Sequence, residues 1–438
     1  MIVIYSTQIT NRLSYTLELI FKFILKSDFR LTDNKDEFIL SSLPKINYSD
    51  EDFGVGLFLK SHSLLFETTI SQQKIVPFTY ENQWCFFPST ANSFLPFDVF
   101  ACSFYLASRY EEYLFSGTTE HGRFPANESI QFKNGVLGEP LVNQWAQLLV
   151  QRISETYSEF PVPKKEFHFQ MTIDVDNAWA YKNKTAWIQF GGLAKSILRA
   201  DFSGIKKRFK VFSGNENDPY DSYSFIEKTF EGKEDGLKFF FLLGDRGPYD
   251  KNISHRNPEL QMLIRRLAQK FEIGIHPSYA SNSNNRMVAT EKRRLEDITG
   301  KPVSASRQHF LMLNLPKTYE TLIESGITHD FTMGYSDAIG FRAGLCTPFL
   351  FFNLEKNNTT GLTVYPLNVM DVTFKDYLEM NPEQALKEVT ELMQKVKLAG
   401  GVFTCLWHNE SLSDQGIWEG WKDVFQQISA TGLQLENE

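Results

Sequence analysis

Cysteine is scarce in this chain. There are four in 438 residues, at positions 85, 102, 346 and 405, and no two stand in a C-x-x-C pair. That spacing excludes a zinc knuckle and a dense disulfide framework, and it suits a reducing compartment. Positive charge is short as well: 45 Lys and Arg against 53 Asp and Glu leave a net charge of −8. A nucleic-acid footprint needs a basic face, and none is available. The one basic run, Lys206-Lys207-Arg208 with Lys210, reads as a solvated helix face. Long apolar runs are missing too. The stretch Leu17–Leu25 is interrupted by Glu18 and Lys22 and is too short to span a bilayer, so an amphipathic helix is expected there. Met1–Thr10 lacks the charged-then-apolar build of a signal peptide. Together these absences make a cytoplasmic protein, with no nucleic-acid partner and no transmembrane segment, the expectation.

What is present is an ordinary soluble composition, 42% apolar and 22% charged. Aromatics are generous at 14%, with 39 phenylalanines. Most of these suit core filling, and a share could wall a sugar cleft, because ring faces stack on sugar C–H surfaces. The length suggests two domains. The boundary is expected at Phe160-Pro161-Val162-Pro163-Lys164-Lys165, since two prolines and two lysines favour an extended, exposed chain. Residues 1–160 then form a smaller α/β N-terminal accessory domain. Helices are expected there over about 98–114, with Asp98 as N-cap, and over about 142–158.

From residue 166 to 438 the texture alternates strand with helix. Apolar strands are expected at 167–174, 237–243, 272–276, 302–306, 327–332, 345–352, 362–369 and 401–407. Asn257-Pro258, Pro316 and Asn381-Pro382 open helices between them, and Gly400-Gly401 closes the last. Repeated β–α succession with near-continuous apolar strands means a parallel sheet. The expected fold is α/β, a distorted (β/α) barrel of about seven parallel strands, with chemistry at the C-terminal strand ends. Those ends deliver Asp174 and Asp176, Gly244-Asp245-Arg246, His276, Arg307 and His309, Asp330, and His408-Asn409-Glu410. Three of the eight histidines in the chain fall at these ends, which points to an enzyme.

Thr172-Ile173-Asp174-Val175-Asp176 resembles the first motif of the polysaccharide deacetylase (NodB-homology) family, where one Asp is the catalytic base and another a metal ligand. The resemblance implies Asp174 as base and Asp176 as ligand. Glu272-Ile273-Gly274-Ile275-His276-Pro277-Ser278 is similar to the second motif, with His276 as its first histidine. Pro277 stands where the family has Ser or Thr, and Ala280 stands where its second histidine belongs. Ser306-Arg307-Gln308-His309-Phe310 resembles the third motif. Arg307 is the residue that orients the base, and His309, in place of the usual Pro, is the candidate third ligand. Gly340-Phe341-Arg342-Ala343-Gly344 is the candidate for a fourth, and Cys405-Leu406-Trp407-His408-Asn409 resembles the fifth, which makes His408 the general acid.

The resemblance covers about 168–410. Residues 1–165 match nothing in the family's catalytic domain, but Ser108-Arg109-Tyr110-Glu111-Glu112-Tyr113 and His121-Gly122-Arg123-Phe124 are similar to signatures of the accessory region that precedes some deacetylase-like domains. The implied function is removal of an acetyl group from an N- or O-acetylated sugar, oligosaccharide or polysaccharide precursor. The implied cofactor is a divalent metal held by Asp176, His276 and His309, with zinc favoured by two imidazoles and a carboxylate. The implied roles are Asp174 taking a proton from water and His408 protonating the leaving amine. Trp179, Tyr181, Arg342 and Trp407 are the candidates for substrate contact. Two other readings stand beside this one. A glycosidase would need Asp330 or Glu410 as a second acid. A non-catalytic carbohydrate-binding or scaffolding protein would account for Ala280.

Overall fold

The computed structural model describes residues 1–117, 119, 121–198 and 202–438. The N-terminal region is built on a four-stranded sheet in the order β2-β1-β3-β4, with β1 Ile2–Tyr5, β2 Phe29–Thr32, β3 Lys45–Ser49 and β4 Leu57–Lys60. All its pairings are parallel, and β1 at its interior is wholly apolar and buried. The helix Asn11–Leu17 is started by Thr10, whose side chain accepts from Leu13 N, and it continues as a π-helical stretch over Glu18–Ile24. A small antiparallel hairpin follows, β5 Phe78–Tyr80 with β6 Gln83–Cys85.

Asp98 caps its helix as expected, accepting from Phe100 N and Ala101 N. That helix stops at Ala107 rather than running to 114, and a second short one covers Tyr110–Leu114. The break is Arg109, at φ 55. A left-handed residue costs the helix its ladder. In exchange the buried guanidinium reaches Glu111 at 3.0 Å, Glu112 at 2.7 Å and the Tyr335 hydroxyl at 3.1 Å. Residues 161–166 run without regular structure and mostly exposed, as two prolines require.

The larger sheet has nine strands in the order β12-β13-β11-β10-β9-β8-β7-β15-β14. These are β7 Phe167–Val175, β8 Leu237–Phe241, β9 Glu272–Ile275, β10 Ala305–Ser306, β11 His329–Asp330, β12 Phe349–Asn353, β13 Asn358–Val364, β14 Val369–Met370 and β15 Gly401–His408. Every pairing is parallel except β12 with β13. The architecture is mixed α/β with a large parallel-rich sheet, and a closed barrel is not detected: no strand pairing joins β12 to β14 among the described residues. The physical reason lies in both edges. β14 offers two residues for pairing, and β12 folds back as an antiparallel partner of β13. The N-terminal region covers this edge, with the Tyr15 hydroxyl donating to Leu350 O at 3.0 Å. The helix Leu141–Thr156 sits in the seam. Its Asn143 donates to Thr347 Oγ1 at 2.8 Å and to Gly400 O at 3.1 Å, and accepts from Cys346 N. Val402 N reaches across to Cys346 O at 2.7 Å.

The two sheets therefore share one apolar core. Phe352 from the large sheet meets Tyr15 at 5.0 Å and Phe104 at 5.2 Å between ring centroids. No helix is long and apolar enough to cross a membrane among the described residues. Arg342 completes the junction. It grips Glu112 by two parallel bonds, Nε to Oε1 at 2.9 Å and Nη2 to Oε2 at 2.7 Å, and donates to Gly334 O. Burial alone would push the Glu112 carboxyl up, but Arg342 and Arg109 outweigh it and hold it below the usual range. Replacing Glu112 by Ala strips the buried Arg342 of its counter-charge and leaves Arg109 with Glu111 alone, so a loss of about 3–5 kcal/mol is expected. Urea denaturation of the variant checks this, and a change below about 1 kcal/mol, the size of an exposed ion pair, would refute it.

Candidate metal centre and its pocket

Alternation along the strands aims the site. Side chains two apart share a face, so Thr172 and Asp174 on β7 point the same way as Leu406 and His408 on β15. The pairing sets His408 directly beside Asp174. On the next strand but one, His276 follows the end of β9, and Arg307 and His309 follow β10. The chain's parallel register thus gathers these groups at one rim.

Asp176, His276 and His309 lie with one ligand atom each within 4.8 Å of one another, a group that could hold a metal ion. Both imidazoles are oriented for it. His276 Nδ1 lies 2.5 Å from Arg307 O, so it is the donor and Nε2 is left free. That Nε2 is 3.3 Å from Asp176 Oδ1 and 3.6 Å from Asp174 Oδ2. His309 Nδ1 lies 3.0 Å from Asp250 Oδ1, and its Nε2 is 3.5 Å from Asp176 Oδ2. A ligating histidine characteristically gives its other N–H to a carbonyl or carboxylate. Asp174 is 1% exposed, and its Oδ1 has no hydrogen-bond partner among the described residues. Asp176 Oδ1 is likewise buried without a hydrogen bond. Orphaned carboxylate oxygens beside two inward-facing Nε2 atoms make a donor set that could hold a divalent cation.

Asp250 connects the backbone at Ala280 to His309. Its carboxylate accepts from Tyr279 N at 2.8 Å and Ala280 N at 3.2 Å, and then from His309. The backbone at 280 therefore anchors the acid that orients His309, and the imidazole comes from a different strand end. No motif marks Asp250 in the sequence, because its role depends on the loop 245–257 folding back under His309. Asp371 is also new. Buried after β14, it takes His408 Nδ1 at 2.8 Å and the His408 N–H at 2.7 Å. Burial opposes the charged imidazole, but Asp371 outweighs it and raises His408 to about 10. Glu410 is raised to about 7 by burial and by the neighbouring Asp176.

Arg307 is fully buried, but its hydrogen bond goes to Thr172 Oγ1 at 2.8 Å rather than to Asp174 as expected. It lies 5.3 Å over the Phe240 ring. Gly274 makes room for that ring: a Cβ there would meet Phe240 at 2.4 Å. Asp174 and Arg307 act on each other as charges through space.

The substrate-contact expectations need correction. Trp407 is 0% exposed, because strand alternation turns it away from His408 onto Phe425 and Phe374 behind the sheet. Arg342 is consumed by Glu112. Trp179 is buried with its indole bonded to Asp221. Tyr181 is half-buried under the Arg208 guanidinium at 4.8 Å. The pocket that holds Asp174, Asp176, His276, His309 and His408, of about 190 Å³, is walled by Phe310, Leu311, Met370, Val372 and Leu406, with Arg123 and Tyr377 among its polar lining.

Residues 2–158 match the model of a family described as a family of unknown function (DUF7033), which ends before the strands that carry the site. No curated protein matches the chain at a significant level. Among solved structures, a candidate polysaccharide deacetylase from Mycobacterium smegmatis is 16% identical, with 61% of this chain and 85% of that one covered and a TM-score of 0.39. An allantoinase is 11% identical over 60% of this chain and 83% of its own, with a TM-score of 0.38. Both scores are low, and neither fixes the chemistry here.

The site makes a prediction about protons. Burial would lower His309, but Asp176 and Asp250 outweigh it and raise it to about 9. A ligating imidazole must be neutral. Below about pH 9, metal uptake should therefore release a proton, and affinity should fall as the pH is lowered. Calorimetric titration of metal in two buffers of different ionisation heat reads the released protons, and Asp176→Asn should abolish binding. Uptake without proton release at pH 7 would show that His309 is not a ligand.

Proposed function

We propose that this protein is a metal-dependent hydrolase, a carbohydrate deacetylase that removes an acetyl group from an N- or O-acetylated sugar or polysaccharide precursor, with zinc as its ion. One observation carries the reading. A candidate metal group, a carboxylate with one unpartnered oxygen and a histidine charged by its own aspartate line one pocket with an apolar wall. When bound, the ion supplies Lewis-acid polarisation of the scissile carbonyl. Asp174 has a free oxygen to accept the proton of an attacking water, with the buried Arg307 guanidinium acting on it through space. His408 enters the reaction protonated and gives its proton to the leaving nitrogen or oxygen. Asp371 fixes its ring and holds the charge until transfer. The apolar wall suits the acetyl methyl.

The glycosidase reading loses one of its two candidates for the second acid and keeps Glu410. Asp330 is fully buried and accepts from Ser306 Oγ, Thr332 N and Thr332 Oγ1, so it is tied into the sheet. The non-catalytic reading rested on Ala280, and against it His309 offers an imidazole within ligand reach of Asp176 and His276. The four cysteines are buried and unpaired, in keeping with the cytoplasm we propose as its compartment.

Acetate release from acetylated sugars by the zinc-loaded protein tests this directly. Asp174→Asn should lower kcat about 10²–10⁴-fold while metal binding is kept; if activity survived with metal retained, Asp174 would not be the base.

A second test uses pH. A general acid must be protonated, so activity should be lost as pH rises through the His408 value near about 10. In Asp371→Asn that alkaline limb should move down toward the ordinary imidazole value of about 6.5. A limb that stays in place would remove His408–Asp371 from the mechanism.

A further inference from the structure

Arg123 is a cation in this pocket that no carboxylate among the described residues answers. It comes from the N-terminal region, yet it lines the same pocket as Asp174, His276 and His408. Its Nη1 donates to Phe310 O at 2.9 Å, and its Nη2 lies 3.4 Å from the Tyr377 hydroxyl. Both partners are neutral, and no carboxylate is in ion-pair contact with it among the described residues. The other arginines of this junction differ: Arg109 and Arg342 are each locked to a glutamate. A guanidinium carries five N–H donors in a flat fork, so two bonds leave donors over.

The segment carrying it is held in place. Thr119 Oγ1 donates to Arg123 O at 2.9 Å, and His121 Nδ1 lies 3.2 Å from the Tyr279 hydroxyl. The His121 ring meets Phe310 at 5.0 Å and Tyr249 at 5.8 Å. The wall that Arg123 grips is itself strained, with Phe310 at φ 60 and Leu311 at φ 49 in succession. Two neighbouring non-glycine residues in that region persist only where the surroundings enforce them, and such strain gathers at functional sites.

We propose that Arg123 selects the substrate by binding an anionic group, so that the acetylated substrate is a sugar bearing a carboxylate or a phosphate. The flat fork matches either group through two charge-assisted bonds. The acetylated part of this statement rests on the deacetylase reading. The anion does not, and the test separates them.

The test is calorimetric binding of three sugars to the zinc-loaded full chain: neutral N-acetylglucosamine, N-acetylglucosamine 1-phosphate and N-acetylmuramic acid. An Asp174→Asn background lets binding be read without turnover. An anionic sugar is expected to bind about tenfold or more tightly than the neutral one. Arg123→Gln should erase that preference, and Arg123→Lys should restore part of it. Preference for the phosphate sugar alone assigns a phosphate, and preference for the acid sugar alone a carboxylate. Equal binding of neutral and anionic sugars overturns the proposal. So does a preference that survives Arg123→Gln, an equal loss for all three sugars in that variant, or no binding of any of them at millimolar concentration. If the anionic preference holds while the protein with Asp174 intact releases no acetate, the deacetylase reading fails and the anion site stands.

Discussion

Asp176 sits between His276 at 3.3 Å and His309 at 3.5 Å, largely removed from water. An ionised carboxylate in that setting is tolerable only if positive charge stays close. Much of the surrounding structure serves that condition. Burial pushes the Asp176 carboxyl up, the two imidazoles outweigh it, and the group is held well below its usual range. The imidazoles need their own partners in turn, which are Arg307 O and Asp250. Asp250 needs the N–H groups of 279 and 280. The loop after β8, the turn after β9 and the end of β10 are thus tied together through one carboxylate. A divalent ion placed there would take over the charge that the protonated imidazole supplies in its absence.

A second buried charge system joins the halves of the chain. Arg109, Glu111, Glu112, Arg342 and Tyr335 form a network in which residues of the N-terminal region and of the large sheet satisfy one another. Such a network is a poor source of net stability compared with apolar packing, but it is intolerant of partial loss. It therefore sets geometry. The helix break at Arg109 that permits it also directs the chain toward the segment carrying His121 and Arg123 to the pocket rim. The N-terminal region contributes to the pocket's lining as well as to the core.

The strands that carry one side of the site are short. β10 and β11 pair over two residues each, enough to set register and no more. Their short length leaves the chain free to turn early, and the turn after β10 is where Arg307 and His309 stand, with Asp330 the last residue of β11.

The sequence by itself determined a good deal. Apolar runs and their helix caps placed the strands of the parallel sheet, and the strand-end rule then pointed to Asp174, Asp176, His276, His309 and His408, which the pocket brings together. That worked because strand ends and caps are local: a side chain's position along a strand is fixed by the residues around it. Contact across the fold was not legible. Asp250 and Asp371 carry no motif, and their importance arises only when loops more than thirty positions away in sequence come to rest on His309 and His408. Trp407 and Arg342 resembled cleft residues by neighbourhood, yet face direction and a glutamate 230 residues distant place them in the interior. Tertiary structure alone also decided that the sheet stays open and that Arg123 reaches the pocket. Pairing between distant strands, and the charge balance of a buried site, are properties of which groups meet when water is excluded, and adjacency in the chain does not encode them.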